Sequence, residues 1–445
     1  MEQQANPRLR GKPIAVTGGD RMKRTVVGSA SIEAKRFGVK GVMQIHEAKK
    51  LCPELILVKG DSDKYLETTK RFLSILKDYS PTLEIFSIDE CFLELPFSPR
   101  PGPASSQPHS MSSLTLWALN GAPRSLSPVA IAENIKKRIR EEVGEWISCS
   151  VGISYNKMMA KLAGSLYKRN LKGIKTPQFS RFMVGDDGIV VIKDPEEAMV
   201  VLDRVNLDDV CGIGFRIKRR LNGMGIFDFQ TLRKASLEQL QASFKTHTGQ
   251  ILYNYARGTD HSPITPFYEK EEVKSVGHRL TINHDTANLT EIKQIFLKLS
   301  ELIARRLRAK KLVGKTISAY FRNAIDYSNY NGPEKLHFTG DGMQLTIPMT
   351  DDGFEIFKAA WKIFNNLWDG GKIRMIGISI SNLSSKLPQN LSFFEDTNRA
   401  DTIIKTLDLI NNKYGEFTLQ RGVLLQSVKV VRKANPFLAD RRFKL

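Results

Sequence analysis

The stretch EIFSIDECFLEL, residues 84–95, sets two neighbouring carboxylates, Asp89 and Glu90, inside an apolar run. Side chains alternate across a strand. As one extended segment, Leu83, Ile85, Ser87, Asp89, Cys91 and Leu93 share a face, and Glu84, Phe86, Ile88, Glu90, Phe92 and Glu94 share the other. A half-exposed edge strand carries such acids harmlessly. The apolar flanks on both faces instead suit a strand covered on both sides, where a carboxylate without a cation is costly. Its partner is then a divalent metal held by oxygen ligands, or a lysine or arginine. Both acids serve one metal only if the strand bends or ends there.

The chain has 445 residues, enough for two to four domains. Its formal net charge of +20 points to a polyanionic partner, nucleic acid or an acidic membrane surface. No apolar run approaches the length of a membrane span, and the opening MEQQANPRLRGKP lacks the apolar core of a signal peptide. Cys52, Cys91, Cys149 and Cys211 are scattered, with no CxxC spacing for zinc or redox work. Their usage suits a reducing, cytoplasmic location.

Outward from the acidic stretch, PIAV and LILV read as strands, and IEAKRFG and HEAKKLC as helices stopped by Gly38 and Pro53. Lys64 to Tyr79 reads as an amphipathic helix with Tyr65, Phe72, Leu73, Leu76 and Tyr79 on its apolar face. Residues 96–127, rich in Pro and Ser, read as a mobile surface loop. A helix from Ser127 to Val143, a strand ISCSVGIS and a helix NKMMAKLAGSLYKR with a basic polar face follow.

LDDVCGIGFRIKRRLNGMGI, residues 207–226, places Gly212-Ile213-Gly214 between two helical stretches. This helix-hairpin-helix pattern offers backbone N–H groups and a helix N-terminus to a phosphate. Arg216, Lys218, Arg219 and Arg220 follow at once. After the linker GTDHSPITPFYEKEE, the pattern from Val273 reads βαββαβ, a small sheet with two helices on one face. Its first helix ends in Arg305, Arg306, Arg308, Lys310 and Lys311, either a solvated face or further phosphate contacts. A helix from about 399 to 413 and a basic end, RRFKL, close the chain.

SIDECFLEL, CSVGISYNKMMAKLA and VCGIGFRIKRRLNGMGI, in that order, resemble a Y-family (translesion) DNA polymerase of the bacterial polymerase IV and UmuC group. NPRLRGKPIAV and ASIEAKRFGVKGVMQIHEAKKLCPEL resemble its fingers, and the resemblance covers essentially the whole chain. It implies an α+β, multidomain right-hand polymerase. Residues 1–61 are the fingers, 62–175 the palm with the loop 96–127, and 176–258 the helical thumb. Residues 259–272 form a linker, 273–384 the little finger, and 385–445 a clamp-binding segment and tail.

The resemblance also implies the site. Asp89 and Glu90 hold two magnesium ions, Asp89 touching both and Glu90 the catalytic one. Such ions clamp the attacking and leaving oxygens of phosphoryl transfer from a deoxynucleoside triphosphate to a primer. Ser29, Lys35 and Lys168 match positions beside the triphosphate. Lys35 stands where arginine is frequent, Ile32 where many relatives have tyrosine, and Arg169 where proline is usual. Gly212, Ile213, Gly214, Arg216 and Lys218 of the thumb, with Arg279 of the little finger, face primer-template DNA. QNLSFF, residues 389–394, resembles the peptide with which bacterial polymerases bind the sliding clamp. Leu391, Phe393 and Phe394 enter an apolar pocket, and Gln389 and Ser392 complete the motif. A monomer without membrane contact is expected.

Family members open with a strand bearing another metal-binding Asp, and then an aromatic residue that excludes ribonucleotides. The first residues here match only the end of the helix that follows. A misassigned start, a fragment and a non-catalytic accessory relative are the three explanations. Retention of Asp89, Glu90 and Lys168 favours the first two. The competing function is a DNA-binding accessory protein without polymerase activity. A structural RNA-binding protein would share the charge but give Asp89 and Glu90 no role.

Overall fold

A computed structural model of the chain describes residues 1–18, 26–95, 127–171, 177–184, 188–269, 272–324, 339–386, 397–415 and 417–425; at 168–171, 177, 178 and 397–401 it describes backbone only. The chain parts into two units between Lys270 and Glu271.

The first unit begins with a three-stranded sheet in which β1 (Ile14–Thr17) lies between β2 (Ser29–Ala30), antiparallel, and β3 (Ile56–Lys59), parallel. Helices Ile32–Arg36 and Ile45–Leu51 cover it, and Ala15, Val27, Ala34 and Ala48 are wholly buried between them. The Ser31 hydroxyl caps the first helix by accepting from Ala34 N, and Asp61 caps helix Ser62–Lys77. That long helix buries Leu73 and Leu76, as its spacing predicts, together with Ile75 and Thr69. It packs with helix Pro128–Arg138 on the next two strands, β4 (Leu83–Ile85) and β5 (Cys91–Leu93). Among the described residues these two pair only with each other. The residues expected to form one acidic strand are therefore a hairpin.

A third sheet sets β6 (Val151–Ser154) parallel to β8 (Ile189–Ile192), with β7 (Met183–Val184) on the far side. The expected strand ISCSVGIS is ordered as strand only in its second half. Helix Lys157–Leu171 links β6 to this sheet and lies on it. Gly152 permits that approach, since a Cβ there would stand 2.0 Å from the Ala160 carbonyl oxygen. Because β7 and β8 follow residue 175, this sheet crosses the expected palm–thumb boundary. The same core runs on through helices Pro195–Leu202, Phe215–Gly223, Phe229–Lys234 and Leu237–Tyr255. The helical stretch before Gly212 is one 3-10 turn, Leu207–Asp209. Of the loop 96–127 only Ser127 lies among the described residues, where it caps helix Pro128–Arg138.

The second unit is the predicted βαββαβ fold. Strands β9 (Ser275–Thr286), β10 (Leu312–Asn323), β11 (Gly342–Thr350) and β12 (Ile373–Ser385) form an antiparallel sheet in the order β11-β10-β12-β9. Helices Leu289–Ala309 and Gly353–Leu367 close one core with it, around the fully buried Phe296 and Phe364. Helix Thr397–Tyr414 adds a further layer. Arg308 makes a paired contact to Asp408, Nε to Oδ2 at 2.6 Å and Nη2 to Oδ1 at 2.8 Å, and Arg305 reaches Asn412. Two of the arginines left open between a solvated face and phosphate contacts thus tie this helix down. Asn411 is buried behind them, exchanging both amide hydrogen bonds with Leu419. Among the described residues no helix is long and apolar enough to cross a membrane.

Candidate active site

The turn of the β4–β5 hairpin is residues 86–90, closed where Phe86 N and Ser87 N both donate to the Glu90 carbonyl, at 3.0 and 2.9 Å. The Ser87 hydroxyl donates to Asp89 Oδ1 at 2.8 Å and accepts from Asp89 N at 3.4 Å. Short polar side chains that bond to their own backbone stabilise such turns. The buried Thr69 hydroxyl donates to the Ile88 carbonyl at 2.6 Å and pins the turn to helix Ser62–Lys77. The strand therefore ends at the two acids, and face alternation no longer separates them. Neither acid is buried: Asp89 is exposed and Glu90 half-buried.

Lysines meet this hairpin at both ends. Lys161 Nζ donates to Glu90 Oε2 at 2.7 Å and lies 4.2 Å from the centroid of the Phe86 ring. Lys157, one turn earlier on the same helix, donates to both oxygens of Glu84 at 2.8 and 2.6 Å and to the Pro263 carbonyl at 3.0 Å. Glu84 also accepts from Thr265 N at 2.8 Å. Lys157 and Glu84 are each 16% exposed, against 37% for Glu90. Both lysines thus leave the solvated face that the sequence suggested for them. Burial pushes the Cys91 thiol up to about 12, so it stays protonated beside the turn.

The nucleotide-site candidates lie on separate elements. Ser29 is exposed on β2, and Lys35 is half-buried on helix Ile32–Arg36. Lys168 sits on helix Lys157–Leu171, its side chain outside the described residues. Among the described residues no group of three or more His, Cys, Asp or Glu is placed to hold a metal ion. Sequence reading passed over Val42, which is 79% exposed with φ of +67°. A β-branched residue seldom adopts that backbone, and such strain gathers where ligands are contacted.

The thumb candidates come together in one turn. Gly212 has φ of +104°, Ile213 is buried as its anchor, and Gly214 caps helix Phe215–Gly223 with open space where a Cβ would stand. The first N–H groups of that helix have no acceptor within it. Arg216 is exposed beside them, whereas Lys218 is paired with Asp208 at 2.7 Å. Arg279 is exposed on β9, where buried and exposed residues alternate. Gln389, Leu391, Ser392, Phe393 and Phe394 lie outside the described residues.

Comparisons with known proteins identify the family. The impB/mucB/samB family matches residues 1–165, its C-terminal domain matches 273–393, and the DNA polymerase-iota thumb domain matches 208–260. DNA polymerase IV of Pelotomaculum thermopropionicum is 30% identical over 97% of this chain and 94% of its own length. The same figures hold for DNA polymerase IV of Moorella thermoacetica. DNA polymerase IV 2 of Bacillus subtilis is 28% identical over 96% and 91%. Among solved structures, a Dbh-Dpo4-Dbh Y-family DNA polymerase chimera superposes with a TM-score of 0.59 at 21% identity, over 86% of this chain and 95% of that one. The chain belongs to the Y-family DNA polymerases, of the polymerase IV and UmuC type.

Proposed function

We propose that the chain is a template-directed polymerase that adds deoxynucleotides to a primer during damage bypass, with the tip of the β4–β5 hairpin as its catalytic centre. The observation that carries this reading is the turn, which sets Asp89 and Glu90 side by side at an accessible apex. Two adjacent carboxylates at an exposed turn suit magnesium, which keeps waters and takes phosphate oxygens for its remaining positions. Asp89 would bridge two ions and Glu90 hold one of them. Held there by Asp89 and Glu90, magnesium would supply Lewis-acid stabilisation of the oxygens of phosphoryl transfer.

The chain's own residues do the rest. Thr69 and Ser87 hold the turn in shape, so the carboxylates are positioned before substrate arrives. Lys35, Lys168 and Ser29 hold the triphosphate. The turn Gly212–Gly214 and Arg216 take a backbone phosphate of the duplex, and Arg279 takes another. The segment 389–394 engages the sliding clamp through Leu391, Phe393 and Phe394, raising the local concentration of a weak DNA binder. The molecule works as a cytoplasmic monomer; its cysteines are free thiols.

A second reading, a DNA-binding relative without polymerase activity, is favoured by one observation: among the described residues no third acidic ligand joins Asp89 and Glu90. Single-nucleotide insertion on a primer-template separates the two. Magnesium-dependent insertion that Asp89→Ala lowers by about 10³-fold, with DNA affinity retained, supports the first. DNA binding without insertion by the parent chain supports the second, and undiminished insertion by Asp89→Ala overturns the assignment of the site.

DNA affinity is expected to fall with salt, with a slope of log K on log salt of about −0.9 per neutralised phosphate; a flat response excludes the phosphate contacts. Replacing Leu391, Phe393 and Phe394 together by alanine is expected to weaken clamp-stimulated synthesis and leave clamp-free synthesis unchanged. Equal stimulation of parent and variant removes the clamp assignment.

A further inference from the structure

The mechanism above leaves Lys161 unused, yet Lys161 bonds directly to the apex. Its ammonium lies 2.7 Å from Glu90 Oε2, and the Phe86 ring, 4.2 Å away, faces it from the turn itself. Phe86 is in turn braced edge-to-face against Phe92, with centroids 5.5 Å apart. The lysine is 20% exposed. Among the described residues no basic side chain pairs with Asp89. At the apex the Lys161 ammonium thus stands against two neighbouring acids.

We propose that Lys161 is a built-in counter-ion of the metal site: it occupies Glu90 in the metal-free protein and yields that carboxylate when a divalent cation binds. The inference rests on the reading of Asp89 and Glu90 as metal ligands. Two adjacent carboxylates repel one another, and a nearby cation offsets that cost. A divalent ion that takes the Glu90 oxygen meets the ammonium at close range and is repelled by it. Lys161 thereby weakens metal binding to the empty site. A triphosphate arriving with its own negative charge reverses the balance. The ammonium, released from Glu90, remains beside the bound nucleotide as a favourable charge. Metal loading is thus coupled to nucleotide binding, and Lys161 acts as a positioning residue.

The test is Mn2+ binding to the full chain without nucleotide, read by electron paramagnetic resonance, with thermal melts to verify folding. Lys161→Met keeps the apolar stem and removes the charge, and it is expected to tighten Mn2+ binding on the order of tenfold. Lys161→Arg keeps the charge and is expected to stay within about twofold of the parent. Lys161→Gln serves should Lys161→Met fail to fold, with the same expected direction. Glu90→Gln is expected to weaken binding. Unchanged or weaker binding in Lys161→Met or Lys161→Gln, with Glu90→Gln weakened, overturns the counter-ion role and leaves the metal site standing. Unchanged binding in Glu90→Gln overturns the metal site and the counter-ion together.

Discussion

At the base of the β4–β5 hairpin Glu84 meets Lys157; at its tip Glu90 meets Lys161. The two lysines are four residues apart on one helix, and both bonds are short, at 2.6 and 2.7 Å. What differs is everything around them. Glu84 is held by Lys157 and Thr265 N, Lys157 lies in turn over the Phe92 ring, and Phe267 N of the linker donates to the Leu83 carbonyl beside it. Its charge is neutralised and its lone pairs are used, which makes the pair part of the fold. Glu90 lies at an accessible turn, 37% exposed, with the exposed Asp89 as its neighbour and Lys161 as a partner. A carboxylate open to solvent can be reached by another cation; one enclosed by the fold cannot. On the proposed reading, the same residue types on the same two elements serve structure at one end and chemistry at the other.

The largest effects are expected at the tip. Glu90→Gln is expected to lower nucleotide insertion by about 10³-fold, with little change in melting temperature, because the residue is half-exposed. At the base the order reverses. Glu84→Gln, or Lys157→Met, leaves a buried charge without its partner and is expected to cost about 2–3 kcal/mol, measured by thermal or urea unfolding. A melting temperature unchanged by Glu84→Gln breaks the comparison from that side. Thr69→Val lies between the ends. It removes the hydroxyl that holds the Ile88 carbonyl and is expected to cost about 1 kcal/mol, with a loss of insertion well below that of Glu90→Gln.

Much of this was legible in the sequence, and the misses have physical reasons. The βαββαβ unit was legible because its strands and helices are long and strongly periodic. The turn at residues 86–90 was not, because it contains neither Gly nor Pro, and Ile88 continues the apolar pattern through it. Ser87 and Asp89 supply the turn chemistry instead, through side-chain bonds that a pattern of apolar and polar residues does not display. The lysine partners were hidden by distance along the chain, since Glu90 and Lys161 are 71 residues apart. One signal was available: Lys157 and Lys161 flank the buried Met158, Met159 and Leu162, so both stand at the margin of an apolar face. Long basic side chains at such a margin lie along the protein with their heads near acids. The pairing of Arg305 and Arg308 was hidden for the same reason. Their partners, Asn412 and Asp408, lie on a helix about a hundred residues later in the chain, which composition alone did not dock.

The most direct test compares Glu84→Gln and Glu90→Gln side by side, measuring melting temperature and single-nucleotide insertion on the same preparations. The account predicts a crossed result. Glu84→Gln melts lower by roughly 4–10 °C and retains insertion per folded molecule at a temperature where it is folded. Glu90→Gln melts close to the parent and loses insertion. If Glu84→Gln instead abolishes insertion at unchanged stability, or Glu90→Gln inserts like the parent, the division of the hairpin into a structural base and a catalytic tip is contradicted.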